Sequence, residues 1–245
     1  MAEIINIHWF RRDLRLEDNA ALYHALCTGS VMPIFIFDTN ILDRLDDKRD
    51  RRLSFIYEEI SALKKTIEKK GSTLRVFHGR PIDVFNQLIH DYQVGSVFAG
   101  RDYEPYAVQR DTEIASLLSQ HNSALQLHKD HVIYESHEIL KLDGSPYIIY
   151  TPYMKAWKKK YLQDPCPVYE SEKLLDALLK QKPAVLPELD KLGFIRVPHS
   201  VPEPMLDPVS LRQYDSLRDY PARDATSRIG PHLRFGTLGI RKLVA

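Results

Sequence analysis

The stretch IINIHWFRRDLRLEDN, residues 4–19, decides the fold of this chain. Its first seven residues are mostly β-branched or aromatic, which is typical of a strand buried on both faces of a sheet. Arginines and acids follow, and Asp18 and Asn19 then provide capping residues for a helix. A second apolar run, VMPIFIF at residues 31–37, completes a strand, helix and strand. The stretch therefore predicts the first unit of a parallel sheet.

The same alternation continues over the next ninety residues. Residues 49–70 place apolar side chains three and four positions apart, which predicts a helix that ends at Gly71. Further strands are predicted at 73–77, 94–99 and 125–128, and further helices at 81–92 and 106–120. Strands that alternate with helices predict an α/β fold: a Rossmann-like five-stranded parallel sheet with helices on both faces.

The pattern changes after residue 131. Residues 134–153 predict a loose hairpin that turns at Asp143-Gly144. Prolines recur from 165 to 208, which predicts an irregular connector, and helices are predicted at 209–218 and 231–245. The last helical pattern has no stop signal, so we expect a piece of a longer protein whose residues 209–245 expose an apolar face.

Composition limits the possible functions. The chain has 34 basic and 33 acidic residues, without the basic excess of a dedicated nucleic-acid binder. Two cysteines exclude a disulfide framework and a four-cysteine zinc site. His128, His131 and His137 lie close in sequence, but at a predicted strand end and linker, so we expect no metal. Signal-peptide features and long apolar runs are missing, so we expect a soluble, cytoplasmic monomer without membrane contact.

Three arginines follow the first strand, at the edge of the sheet where open α/β proteins bind ligands. Arg11, Arg12 and Arg15 either bind a phosphate or carboxylate, or pair with Asp13 and Glu17 to hold the loop, and composition favours the pairing. The strand is not followed by Gly-x-Gly-x-x-Gly, and the chain has no P-loop motif, which disfavours a classical dinucleotide fold and a P-loop enzyme.

Four segments together resemble the photolyase/cryptochrome family. They are IHWFRRDLRLEDN at 7–19, RDYEPY at 101–106 with Arg110-Asp111, Tyr147 with TPYMKAW at 151–157, and TSRIGPHLRFG at 226–236. The resemblance covers essentially the whole chain, in order. It implies an antenna domain at 1–130, a linker at 131–208, and at 209–245 the truncated start, the first helices, of an all-α FAD-binding domain.

The resemblance implies light-driven, FAD-dependent repair of cyclobutane pyrimidine dimers by the parent protein, a deoxyribodipyrimidine photo-lyase whose partner is damaged DNA. We expect little or no repair by these 245 residues alone, because no catalytic residue is carried over onto them. Two alternatives remain: a cryptochrome-type flavin blue-light photoreceptor, and a stand-alone α/β module that binds a nucleotide or antenna chromophore.

Carried over position by position, the family's FAD contacts fall on six residues: Tyr214, Thr226, Ser227, Arg228, Ile229 and Gly230. Hydroxyls and backbone N–H groups at a helix start favour anions, although Thr226 and Ser227 also suit an ordinary helix cap. Gly230 departs from the serine that is usual in the family. Arg218 matches a position near the DNA backbone.

The resemblance also implies a possible antenna chromophore, a folate, a deazaflavin or a flavin. Trp9, Phe10, Arg11 and Glu104 are the candidate cleft residues. Tyr106 and Ala107 stand where folate-binding relatives have Asn and Glu, and this departure disfavours folate.

Overall fold

The computed structural model describes residues 4–198 and 201–244. Predictions that involve residues 1–3, 199–200 or Ala245 lie outside the described residues. Within them, five strands form one parallel sheet in the order β3-β2-β1-β4-β5. The strands are β1 (Ile4–Phe10), β2 (Val31–Asp38), β3 (Arg75–Gly79), β4 (Gln93–Gly100) and β5 (Ala124–His128). The predicted fold class is confirmed, with small shifts at the strand ends.

Helices cover both faces of the sheet. They are α1 (Ala20–Leu26), α2 (Thr39–Leu42), α3 (Arg51–Glu68), α4 (Pro81–Asp91) and α5 (Pro105–Gln120), followed by α6 (Tyr150–Gln163), α7 (Pro208–Leu217), α8 (Gly230–Phe235) and α9 (Ile240–Val244). Asn19 caps α1 as predicted, because its side chain accepts the N–H of Leu22. One apolar core includes Phe10 with α1 and α3, and the other includes Trp9 with α4 and α5.

The predicted hairpin at 134–153 is wrong. A turn does lie at Asp143-Gly144, where the N–H of Lys141 donates to the carbonyl of Ser145 over 2.9 Å. The described residues around it form no strand, and α6 begins at Tyr150. Pro152 lies in the first turn of this helix, where its missing N–H leaves no helix hydrogen bond unmade. The turn signal was therefore real, while the flanking residues belong to a loop and a helix.

The proline-rich connector packs on the sheet domain. A 3₁₀ helix spans Ser171–Ala177, and the rest of the connector between α6 and α7 is irregular where it is described. Leu175, Leu178, Leu189 and Phe194 are buried in the same core as Phe10. Burial of these side chains holds the connector against the α1 and α3 face.

The predicted helix at 231–245 is divided into α8 and α9 by Gly236. Its φ is +68°, a backbone conformation that favours glycine, and a Cβ here would lie 1.9 Å from the carbonyl oxygen of Arg12. The N–H of Leu14 donates to the carbonyl of Phe235 over 3.2 Å. These helices therefore dock on the loop that follows β1. The large exposed apolar side chains of this region lie on α7, where Val209 and Leu211 are exposed, and just after it at Tyr220.

Candidate functional site

The arginine loop after β1 is tied down by ion pairs. An Arg11 Nη1 lies 2.5 Å from Asp111 Oδ1, and Arg12 lies 2.8 Å from Glu104 and 3.4 Å from Asp102. This loop meets the end of β4 where the strand order reverses, which is the usual ligand position in open α/β sheets. The crevice there has only about 10 Å³ of free volume. The arginines of this loop do form ion pairs, but their partners are Asp102, Glu104, Asp111 and Asp130 and not the predicted Asp13 and Glu17. Glu17 pairs instead with Lys242.

A buried cluster of four charges fixes α9 to this edge of the sheet. Arg15 and Arg241 each lie 2.8 Å from Asp130, and Arg241 also lies 2.9 Å from Asp18. Burial alone would raise the pKa of Asp130, but the two guanidinium groups hold it below its ordinary value. Sequence reasoning missed Arg241, because its partners are more than 100 residues away.

The four candidate antenna residues lie in different surroundings. Trp9 is buried, with the guanidinium carbons of Arg11 and Arg110 each 4.8 Å from its ring. Phe10 is buried in the opposite core, so Trp9 and Phe10 do not face a common cleft. Glu104 is half exposed and bonds Arg12 and Arg234, which hold its pKa below the usual range. Their role at an antenna cleft stays a prediction.

An open pocket of about 240 Å³ lies beside the carboxyl end of β2. We call it the Tyr106 pocket; Asn40, Arg44, Tyr106 and Arg110 are among the residues that line it. The Tyr106 hydroxyl donates to Asp38 Oδ2 over 2.6 Å and accepts from Asn40 Nδ2 over 3.1 Å. Burial, followed by the bond to the Asp38 carboxylate, raises the pKa of Tyr106 to about 12. The phenol therefore stays protonated at neutral pH.

Two arginines and one acid, Glu113, are the charged residues that line the Tyr106 pocket. The guanidinium carbons of Arg44 and Arg110 lie 5.7 Å and 5.8 Å from the centre of the Tyr106 ring. Arg110 pairs with Asp111, whereas Arg44 forms no ion pair within the described residues. An aromatic ring between two guanidinium groups suits a planar ligand with an anionic group. Asn40 and Arg44 follow the end of β2, so attention to that strand end in the sequence could have found them.

A second open pocket, of about 390 Å³, lies between α7 and α8. We call it the Arg228 pocket; its polar lining consists of Arg218, Arg223, Arg228, Thr226, Tyr220 and Asp224. Arg228 has a φ of +55°, which is uncommon for a residue with a side chain, and its guanidinium pairs with Asp224. Three guanidinium groups around one open space favour a ligand with phosphate groups.

The structure brings two of the six predicted FAD residues, Thr226 and Arg228, into this pocket together with Arg218. Tyr214 lies on α7 with 46% of its surface exposed. Ser227, Ile229 and Gly230 continue the chain into α8 without lining the pocket. The N-cap of α8 is Ile229, and no side chain caps it. The alternative that Thr226 and Ser227 are ordinary helix caps is therefore wrong. Tyr220 and Arg223 carried no sequence signal.

Two histidines of the sheet, His8 in the central strand β1 and His128 at the end of β5, have lowered pKa values. His8 is fully buried, and neither ring nitrogen has a hydrogen-bond partner in the described structure. Burial lowers the pKa of His8 to about 3 and that of His128 to about 4. Among the described residues, no three His, Cys, Asp or Glu side chains are arranged to hold a metal ion. None of the helices described is long and apolar enough to cross a membrane.

Comparison with known proteins gives one family. The family model described as DNA photolyase matches residues 6–171. The chain is 30% identical over 97% of its length to a deoxyribodipyrimidine photo-lyase of Halobacterium salinarum, and it spans 53% of that protein. It is also 28% identical, over its whole length, to an uncharacterized 31.6 kDa protein of a Synechococcus species, of which it covers 89%.

A solved structure has the same fold. The structure of an archaeal photolyase from Sulfolobus tokodaii, described as containing two FAD molecules, superposes with a TM-score of 0.68 over 98% of this chain. Sequence identity is 23%, and the chain covers 54% of that protein. The likeness extends from the sheet domain through the α7–α9 region.

Proposed function

The chain belongs to the DNA photolyase family, and on that premise we propose that its protein uses light and FAD to repair cyclobutane pyrimidine dimers in DNA. The Halobacterium relative named deoxyribodipyrimidine photo-lyase aligns with nearly the whole chain, which spans about half of that enzyme. The proposal therefore concerns the whole protein, acting in the cytoplasm on damaged DNA. Residues 1–130 would form the antenna domain, 131–208 the linker, and 209–245 the start of the FAD domain.

The Arg228 pocket is the observation that carries this proposal. FAD has a pyrophosphate, and Arg223 and Arg228 supply guanidinium groups that bind phosphate oxygens in pairs. The Thr226 hydroxyl adds a donor in the same pocket, and Tyr214, Ser227, Ile229 and Gly230 would flank the cofactor. Arg218, with half of its side chain exposed, would contact the DNA backbone. Bound reduced flavin would supply the light-driven electron transfer; this chain's residues bind and orient its phosphates.

The Tyr106 pocket is our proposed antenna site. Arg44 and Arg110 favour an anionic chromophore, and the Tyr106 ring offers a surface for stacking. Tyr106 and Ala107 disfavour folate, which leaves a flavin or a deazaflavin. Trp9 and Arg11 would act indirectly, because Trp9 supports Arg110 and Arg11 shares Asp111 with it. Phe10 and Glu104 would stabilise the surrounding loops.

The first test uses the longest gene product that contains this sequence, purified in the dark. We expect flavin absorbance bands and light-dependent repair of dimer-containing duplex DNA. Arg228→Ala should weaken FAD binding at least about tenfold, since a charge-assisted phosphate contact is worth more than about 1.4 kcal/mol. Flavin bands without repair would favour a photoreceptor. No chromophore after reconstitution with FAD would contradict the proposal.

A stand-alone binding module is the second candidate. The 31.6 kDa Synechococcus protein is similar to the whole chain and is 89% covered by it, so a relative of about this size exists. Such a module would use the Tyr106 pocket alone. The discriminating measurement is the titration of the 245-residue chain with a flavin or deazaflavin. Saturable binding that Tyr106→Ala removes and Arg228→Ala leaves intact would favour the module.

A further inference from the structure

Helix α6 carries an unpaired basic face outside both pockets. Lys155, Lys158 and Lys159 follow one another at a three-residue and a one-residue step, so they share one side of the helix. All three are exposed, and none forms an ion pair or side-chain hydrogen bond within the described part of the chain. We call these three residues the lysine face.

The other side of α6 lies against the protein. The Trp157 ring lies 5.6 Å from that of Tyr134, and Lys160 Nζ lies 5.2 Å from the centre of the same ring. The Tyr134 hydroxyl donates to the carbonyl of Asp164 over 3.0 Å, which holds the end of the helix. These contacts fix the helix on its aromatic side. The lysine face is therefore held toward solvent.

The charge around the lysine face is one-sided. No Asp or Glu occurs from residue 144 to residue 163, although the chain has 33 acidic residues in 245. Lysines beside this segment are compensated: Lys129 pairs with Glu138 over 2.6 Å, and Lys173 pairs with Glu170 over 2.5 Å. An ordinary solvated surface intersperses both signs of charge. Three neighbouring cations without counter-charges instead favour a polyanionic partner.

We propose that the lysine face binds the phosphate backbone of duplex DNA. Residues along a helix rise by about 1.5 Å each, so the backbone positions of the three lysines span about 6 Å along the helix axis. Duplex DNA presents a charge about every 1.7 Å of its axis, so several phosphates are within reach. Lysine is a flexible point charge, which suits contacts that do not depend on sequence. The affinity of the lysine face for a polyanion follows from its charge and exposure. Only the identification of that polyanion as DNA rests on the proposed function.

A bilayer surface fits the helix less well. Membrane-surface helices bury a continuous apolar face beneath their basic residues. In α6 the aromatic residues Trp157 and Tyr161 stack on each other beside Tyr134, so this side is already engaged by the protein. The exposed apolar side chains of α6, Tyr150, Tyr153 and Leu162, lie near its two ends, with the packed Trp157 and Tyr161 between them, so they form no continuous free stripe. Contacts between the outward lysine face and phosphate groups therefore fit the helix better than insertion into a bilayer surface.

The test measures binding of labelled, undamaged duplex DNA in the dark by fluorescence anisotropy, over a series of salt concentrations. The longest gene product is compared with its Lys155→Gln/Lys158→Gln/Lys159→Gln variant. The matched control replaces Lys65, Lys69 and Lys70, three exposed lysines at the end of α3, with Gln. Glutamine keeps the helix propensity, so circular dichroism should be unchanged for both.

We expect the α6 variant to bind at least about tenfold more weakly at low salt. Its slope of log affinity against log salt should fall by up to about 2.7, because each phosphate contact contributes about 0.9. The control should match the parent. An α6 variant with unchanged affinity and slope, or a control with an equal loss, would overturn the proposal. Loss of binding to vesicles rich in anionic lipid, with DNA binding intact, would also overturn it.

The outcome is separable from that of the proposed repair function. The assay uses undamaged DNA and no light, so it requires no photochemistry. Salt-dependent binding through α6 in a protein that fails to repair dimers would contradict only the repair function. Repair activity with no contribution from the lysine face would contradict only this inference.

Discussion

Two groups of arginines in this molecule have opposite surroundings. Arg15 and Arg241, at the carboxyl edge of the sheet, are 9% and 3% exposed and share the buried Asp130. Arg218 and Arg228, in the pocket between α7 and α8, have side chains that are 50% and 38% exposed. The charges of the first group are paired within the fold, although Arg15 Nε has no hydrogen-bond partner, and the second group retains space and charge for a ligand.

This difference shows that arginines in a sequence motif do not by themselves reveal whether the motif binds a ligand or stabilises the fold. The loop at residues 11–19 resembles the family as closely as the segment at 226–236 does, yet its arginines hold the structure together. A buried guanidinium is tolerated only when its charge and hydrogen bonds are matched. The exposed arginines carry no such requirement, so their removal should affect binding more than stability.

The largest expected effect on stability comes from removing the negative charge that the buried arginines share. Asp130→Asn removes the charge shared by Arg15 and Arg241, so we expect the free energy of unfolding to fall by about 3–5 kcal/mol. Chemical denaturation measures this change. Asp224→Asn, which removes the exposed partner of Arg228, is the control and should stay within about 0.5 kcal/mol. Equal losses of unfolding free energy in the two variants would contradict the distinction between the buried and the exposed arginines.

The second largest effect on stability is expected when the docking of α8 and α9 on the loop after β1 is disrupted. Gly236→Ala places a methyl group against the Arg12 carbonyl at a positive φ. Backbone strain and overpacking together predict a loss of about 2–4 kcal/mol. Limited proteolysis should then cleave residues 230–244 sooner, while the sheet domain stays resistant. Gly144→Ala is a suitable comparison, since Gly144 also has a positive φ but nothing within 4 Å of the added methyl. The two variants should not behave alike.

The buried His8 predicts that the stability of the fold depends on pH. Like the buried arginines, this residue belongs to the sheet domain and not to the exposed pocket between α7 and α8. The pKa of His8 is about 3 in the fold and about 6.5 when unfolded, so the unfolded state binds the extra proton between these values. Stability should therefore fall as the pH drops below about 6.5, by about 1.4 kcal/mol per pH unit from this residue. His8→Phe should flatten the curve by that slope between pH 6 and pH 4. A parallel curve would show that His8 does not contribute.

A smaller effect is expected at the Tyr106 pocket. Tyr106→Phe removes the hydroxyl that donates to Asp38, and loss of a hydrogen bond to a carboxylate predicts about 1–2 kcal/mol of destabilisation. The exposed Tyr150→Phe is the control and should change stability by less than about 0.5 kcal/mol. Thermal unfolding of both variants against the parent decides the point. Tyr106→Phe as stable as its control would mean that this bond is not formed in solution.

The sheet was predictable because its strands are continuous apolar runs and its helices have clear apolar periodicity. Boundaries at Asn19, Gly71 and Pro81 follow from residues with strong local preferences. The hairpin failed because a good turn at Asp143-Gly144 was taken to imply strands that the sheet has no place for. The division of the last helix at Gly236 depends on contact with Arg12, more than 200 residues away, which no local pattern reveals.

The candidate site was predictable only in part, for the same reason. Thr226 and Arg228 were found because they belong to one continuous motif. Tyr220 and Arg223 line the pocket because of the way the chain folds after α7, and no sequence motif marks them. Asn40 and Arg44 meet Tyr106 across the sheet edge, and Arg241 meets Asp18 across most of the sequence. Pairings of this kind are set by topology.

The most direct test measures FAD affinity and unfolding free energy together for Arg228→Ala and Arg241→Ala in the longest gene product. We predict that Arg228→Ala weakens FAD binding at least about tenfold and changes stability by less than about 0.5 kcal/mol. Arg241→Ala should cost about 3–5 kcal/mol and leave the affinity of the folded protein for FAD unchanged. The reverse pattern, or the same pattern for both variants, would contradict the division between structural and binding arginines.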